Sequence, residues 1–212
     1  MENVIALKVI PEPTLRRLPK YIDLLTSLEK ENIKNVSSSM IAEKLGLDSI
    51  QVRKDLNITG AIGKPKVGFE LEELLASLKR TLNWDNITDA FLIGVGSLGS
   101  AIIGYKSFTS YGLNIVAAFD NDPSKTGTMV NGVEILPIEK LEDMIKRMHI
   151  HIGVLTVPAE SAQHIAEIMI DAGLLAIWNF APVCLKVPCD IIVENTDFFQ
   201  SLGVLTYKLS KK

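Results

Sequence analysis

Residues 94–99 read Gly-Val-Gly-Ser-Leu-Gly, the spacing G-x-G-x-x-G, directly after a short and mostly apolar run, Asp89–Ile93. Each glycine answers a physical demand. Gly94 permits a tight turn, Gly96 lets a pyrophosphate approach the backbone, and Gly99 lets a following helix pack closely on the strand. That helix, expected over Ser97–Ser110, would offer phosphate the free amides of its first turn and the positive end of its dipole. Val95, Ser97 and Leu98 therefore join the three glycines as candidate cofactor residues. Downstream, the run Leu113–Phe119 ends at Asp120, where a carboxylate can bond an adenosine ribose and would repel a 2′-phosphate. Glycines and acid together point to a dinucleotide, with NAD favoured over NADP. The bland alternative is a glycine turn that merely packs tightly.

These residues need a frame, and the downstream pattern supplies one. Strand-like segments at Val133–Leu136, Ile150–Val157, Leu174–Trp178 and Asp190–Val193 alternate with helical ones at Pro137–Met148 and Ala159–Ala172. Such alternation predicts an α/β domain with a Rossmann-like, doubly wound parallel sheet. Ligands of these sheets sit beyond the carboxyl ends of the strands. The candidate pocket walls are thus Gly94–Gly99, Asp120, Thr156-Val157-Pro158 and Asn179-Phe180-Ala181-Pro182.

The chain has 212 residues, and the part beyond residue 84 is nearly consumed by this fold. No room remains for a separate substrate domain. His149 and His151 fall at the wrong end of a strand and His164 on a helix, so no proton donor is evident at the pocket edge. No catalytic residue is therefore expected; a sensor needs only differential affinity. An apolar wall of Val157, Phe180 and Ala181 would penalise a charged nicotinamide and so favour the reduced form.

The first part of the chain reads differently. Residues 14–31 carry an amphipathic stripe (Leu15, Leu18, Ile22, Leu25, Leu28), with Pro19 placed to set a helix start. Ser37, Ser38 and Ser39 supply hydroxyls for capping a short helix over 39–45. Gly46-Leu47-Asp48 makes a turn, and a second helix covers 50–56, predicted to bury Ile50, Val52 and Leu56. Two short helices about a glycine turn form a helix-turn-helix pattern, which leaves Gln51, Arg53 and Lys54 free for base edges and phosphates, with Ser38 and Ser39 as further candidate DNA contacts. Residues 60–69 read as a hairpin wing tipped by Lys64 and Lys66, and residues 70–82 as one more helix.

Charge supports the division. Residues 1–69 hold eleven Lys/Arg against eight Asp/Glu, a balance of +3; the remainder holds eleven against seventeen, or −6. The overall −3 conceals a basic segment suited to DNA. No apolar run is long enough for a membrane helix, Met1–Val4 does not open a secretory signal, and a cytoplasmic location is expected. Cys184 and Cys189 cannot build a disulfide framework, and no Cys/His spacing fits a metal.

Several strings resemble the Rex family of redox-sensing bacterial transcriptional repressors, in order along nearly the whole chain. They are VRKDL (52–56), FLIGVGSLG (91–99), AAFDNDP (117–123), TVPAE (156–160), WNFAPV (178–183) and ENTDF (194–198). The resemblance implies a winged helix-turn-helix domain over 1–84, an NAD(H)-binding domain over 85–196 and an exchanged dimerisation helix over 197–212. It implies a homodimer on a pseudo-palindromic DNA operator, released by NADH, with NAD⁺ permitting binding. Thr156, Val157, Asn179, Phe180 and Ala181 would lie near the nicotinamide. Tyr105 is similar to a family tyrosine in a redox-sensitive contact, and Asp197 to its acidic partner from the other subunit.

Three departures stand out. Asn57–Gly60 replaces the family's usual Ser-Tyr-Phe-Gly, Pro65-Lys66 replaces an arginine-glycine wing, and Asp23 stands where an arginine is common. Two other classes fit the same residues. One is an NAD-dependent oxidoreductase with an accessory N-terminal domain; the other is a dinucleotide-gated regulator of a protein.

Overall fold

The computed structural model describes residues 10–212, and the chain divides into two compact units at Asn86/Ile87. Residues 1–9, which hold the Met1–Val4 reading and the start of the expected 1–84 domain, lie outside the described residues.

In the first unit, α1 (Glu12–Leu15) leads into α2 (Leu18–Lys30), and Pro19 sits in the first turn of α2, where its missing N–H costs nothing. α3 (Ser38–Leu45) is capped by Ser37, whose Oγ accepts from the Met40 N–H at 3.1 Å. It ends on Gly46 in the left-handed region, at φ 64°. α4 (Ser49–Ile58) is capped by Asp48, which accepts from the Gln51 N–H at 2.9 Å. A two-residue ladder pairs β1 (Asn35–Val36) antiparallel with β2 (Phe69–Glu70), and α5 (Leu71–Thr81) follows. Leu18, Tyr21, Leu25, Ile41, Val52, Leu56, Leu74 and Leu78 close one core.

One burial prediction fails here. Ile50 is exposed, while Val52 and the charged Asp55 are buried beside Leu56. The Asp48 cap sets the helix phase so that positions 52, 55 and 56 share the inner face.

The second unit is built on a seven-stranded sheet. Its strands are β3 (Thr88–Ile93), β4 (Leu113–Asp120), β5 (Met129–Val130), β6 (Val133–Pro137), β7 (Ile152–Leu155), β8 (Ala176–Asn179) and β9 (Ile192–Asn195). They lie in the order β5-β6-β4-β3-β7-β8-β9, all parallel except the β5–β6 hairpin. The order reverses between β3 and β7, which makes the crevice beyond their carboxyl ends the switch point. Helices α7 (Leu141–Met148) and α8 (Ala159–Asp171) bury Leu141, Ile145, Ala162, Ala166 and Met169 against Phe91 and Phe119.

The helix expected over Ser97–Ser110 is shorter. α6 (Ser97–Gly104) stops at Tyr105, whose ψ of 81° leaves the helical region, and a 3-10 segment runs over Lys106–Tyr111. Ser and Thr in that stretch compete for backbone hydrogen bonds and favour such a break. The β5–β6 hairpin, absent from the strand prediction, turns on Asn131-Gly132 with φ of 49° and 89°. The last helix, α9 (Phe198–Leu209), has no buried residue; Phe199, Leu205 and Leu209 are each more than three-fifths exposed.

Candidate functional site

The glycine turn joins β3 to α6 at the switch point. Gly94 has φ 98°, and a Cβ there would lie 2.8 Å from the Val157 side chain and 2.9 Å from the Thr156 carbonyl. A Cβ on Gly99 would strike the Gly94 carbonyl oxygen, so that glycine is what lets α6 sit against β3. Gly96 differs: nothing lies within 4 Å of where its Cβ would stand. It opens α6 onto free space, as approach by a phosphate requires. The Thr156 hydroxyl lies 2.7 Å from the Gly94 carbonyl and 3.0 Å from that of Ile93, and it locks the turn to the end of β7.

Asp120 is buried at the end of β4. Its Oδ2 accepts from the Val95 N–H at 2.7 Å and from the Lys125 ammonium at 3.1 Å, and its Oδ1 from the Asp122 N–H at 2.9 Å. Burial raises its pKa, but the Asp122 N–H, Lys125 and the Val95 N–H outweigh that and hold the carboxyl below its ordinary value. Asp120 thus braces the glycine turn as an anion. The neighbouring Lys125 also offsets the repulsion expected toward a 2′-phosphate.

A cavity of about 960 Å³ occupies the crevice. Gly94, Gly96, Ser97, Leu98, Asp120, Thr156, Val157, Pro158 and Phe180 line it. Four expected residues stand behind the wall instead. Val95 is buried with its N–H on Asp120, and Gly99 is buried on the face of α6 that packs against β3. Asn179 spends its side chain on Val183, Asn195 and the Ala181 N–H, at 2.8 to 3.0 Å. Ala181 is buried in the loop that Asn179 shapes.

The structure adds Ile138, His164, Ile165 and Ile168 to the wall. His164, Ile165 and Ile168 lie on α8, where the helical spacing of the two isoleucines reads equally as core, and Ile138 lies in the 3-10 turn before α7, so no sequence signal separates them. His164 and Glu160 also correct the sequence argument that no titratable proton donor reaches the pocket.

Tyr105 is exposed, and its ring packs on Phe108 at 5.1 Å. Asp197 caps α9 by accepting from the Phe199 N–H at 2.8 Å. Among the described residues no hydrogen bond joins these two within one chain.

In the first unit, a groove of about 520 Å³ lies between α4 and the wing. Ser38, Arg53, Lys64 and Lys66 line it, with Ser37 and Asn57, which the sequence reading did not select. The wing closes through paired Lys64 and Gly68 backbone bonds at 2.7 and 2.9 Å, which leaves both lysines exposed. Lys54 is exposed on α4, and Ser39 is exposed on α3 outside the groove.

Gln51 requires a correction: it is half-buried, and its Nε2 donates to Asp55 at 2.9 Å rather than standing free. Asp55 also accepts from Thr14, Tyr21 and Arg17. Burial raises its pKa, but bonds from Arg17, Tyr21, Gln51 and Thr14 bring it down to about 2. Among the described residues no group of three or more His, Cys, Asp or Glu could hold a metal, and no helix is long and apolar enough to cross a membrane.

Two family models match the chain: "Putative DNA-binding protein N-terminus" over residues 9–57 and "CoA binding domain" over 85–183. A relative from Bacteroides fragilis named redox-sensing transcriptional repressor Rex is 41% identical, across 95% of this chain and 91% of its own. Among solved structures, the Rex-family repressor RSP in complex with β-NAD⁺ and operator DNA is similar with a TM-score of 0.91 and 39% identity, over 96% of this chain and 94% of its own. RSP in complex with β-NADH is similar with a TM-score of 0.87 and 38% identity, over 96% of each chain.

Proposed function

The chain belongs to the Rex family of redox-sensing transcriptional repressors, and we propose that it binds a pseudo-palindromic operator as a homodimer and leaves it when NADH binds. It is a regulator rather than an oxidoreductase. NADH and NAD⁺ are its cofactors, and they differ in the charge carried by the nicotinamide ring.

The observation that carries this reading is the glycine turn with open space at Gly96 and closed space at Gly94 and Gly99. A residue set that bars side chains where packing is tight, yet leaves the first turn of α6 bare, fits a pyrophosphate. Ser97 and Leu98 in that turn would supply N–H donors, and Ile138, Ile165 and Ile168 an apolar slot for the adenine. Val157 and Phe180 would face the nicotinamide. Their apolar surface disfavours a charged ring, which gives the reduced form the advantage. Asp120 keeps the turn in place through the Val95 N–H.

Arg53 and Lys54 on α4, with Lys64 and Lys66 on the wing, would meet the DNA, and Ser38 and Ser39 would approach its backbone. The exposed apolar surface of α9 supports an exchange between two copies, which would bring Asp197 of one to Tyr105 of the other. Action on DNA supports a cytoplasmic location. A gel shift on palindromic DNA, titrated separately with NADH and NAD⁺, tests the reading; loss of the shifted band with NADH alone is the expected result.

A further inference from the structure

Five aromatic rings run in series through the nucleotide-binding unit. Tyr105 meets Phe108 at 5.1 Å, Phe108 meets Trp178 at 5.5 Å, Trp178 meets Phe180 at 4.8 Å, and Phe180 meets Phe198 at 6.2 Å between centroids. The middle ring has a second attachment. Trp178 Nε1–H donates to the Thr196 hydroxyl at 2.8 Å, and the Thr196 N–H donates to the Asn179 carbonyl at 2.8 Å. The next residue, Asp197, caps α9. Trp178 does not itself line the cavity, but Phe180 does. One indole therefore touches the cavity wall, the turn that follows Tyr105, and the residue that precedes the cap of α9.

We propose that Trp178 is a positioning residue that carries the state of the nucleotide cavity to the start of α9 through its hydrogen bond to Thr196. The inference rests on the reading that NADH controls release from DNA. The β8 backbone at Trp178 is paired on both sides, to Val154 of β7 and Glu194 of β9, so a ligand that displaces Phe180 moves side chains rather than the strand. Close-packed interiors pass such displacements on instead of absorbing them. Phe108 packs against the same indole edge-on, at 84°. Ring contact alone is not directional. The N–H bond is, and it gives a push on Phe180 one defined output, the position of Thr196 and hence of Asp197 and Phe198.

The test uses two full-length variants, Thr196→Val, which keeps the shape and removes the acceptor, and Trp178→Phe, which keeps a ring and removes the donor. Operator Kd is measured with and without saturating NADH, and NADH Kd separately by its fluorescence. In the wild type NADH should weaken operator binding by about tenfold or more, within the usual range of coupling between sites. In each variant NADH should still bind within about threefold of wild type while its effect on the operator drops below about twofold, and combining the two should add nothing further, as expected of residues acting through one bond.

Variants that release DNA as the wild type does would overturn the relay and leave the repressor reading standing. Variants that lose NADH binding would also overturn it, by making Trp178 part of the cavity itself. A wild type that NADH does not release would instead sink the repressor reading. Thr196 is only half-buried, so its variant decides the matter if Trp178→Phe does not fold.

Discussion

Arg17 holds Asp55 by two nitrogens, with Nε 2.7 Å from Oδ2 and Nη2 2.9 Å from Oδ1, and so ties the residue that opens α2 to the inner face of α4. Tyr21, Thr14 and Gln51 complete the shell around the same carboxylate. The helix that carries Arg53 and Lys54 is thus fixed by a buried anion whose partners come mainly from α1 and α2.

Asp55→Ala should leave the Tyr21 hydroxyl and the Arg17 guanidinium without their acceptor. Removing one member of a buried pair costs about 3–5 kcal/mol. Urea unfolding should show the loss in the first unit, and operator affinity should fall, while NADH affinity stays at the wild-type value.

The same carboxylate predicts an acid response. Its pKa is lowered from 3.8 to about 2, so its contribution is fully present above pH 4 and fades as the pH falls through 4 toward 2. A lowering of that size is worth about 2 kcal/mol of stability. Asp120 is lowered too, so the second unit should weaken in the same direction. Urea midpoints taken from pH 6 down to 3 should fall, and in Asp55→Asn the first unit should fall less.

Gly96→Val should separate binding from folding. The position has an ordinary φ of −83° and open space, so stability should change by no more than about 0.5 kcal/mol, as at other unencumbered surface sites. NADH affinity should drop by about tenfold or more, equivalent to about 1.4 kcal/mol. Gly99→Ala should instead lower the thermal midpoint, because its Cβ meets the Gly94 carbonyl.

Lys64→Ala and Lys66→Asn should each weaken DNA binding irrespective of sequence and reduce the salt slope of log Kd by about 1. Asparagine is chosen at position 66 because the backbone there has φ 65°, which asparagine adopts readily.

Leu205→Asp with Leu209→Asp places charge on an apolar surface that one chain leaves bare. The wild type should sediment as a dimer and this variant as a monomer.

How much of this could be read from residues alone depends on what fixes each feature. The glycine turn was legible because closed or open space at three positions is a local property, and Gly94, Gly96 and Gly99 each show theirs. Pro19 and Asp48 mark helix starts for equally local reasons. The partners of Val95 and Asn179, Asp120 on the next strand and Asn195 on another, are set by tertiary packing, and Asp55, one helical turn from Gln51, is identifiable as a buried acceptor only once Thr14, Arg17 and Tyr21 are placed around it. Ile165 and Ile168 went unrecognised because a cavity wall and a core have the same helical period. Nothing in the spacing around Trp178 marks it out; its position becomes visible once Phe108, Phe180 and Thr196 are placed around it.

The most direct test of redox-controlled release measures operator Kd at one fixed salt concentration, first without nucleotide, then with saturating NADH, then with saturating NAD⁺. Release from DNA by NADH requires weakening by about tenfold or more with NADH, within the range of ordinary allosteric coupling, and little change or tightening with NAD⁺. NADH that binds tightly and leaves operator Kd unchanged would contradict it.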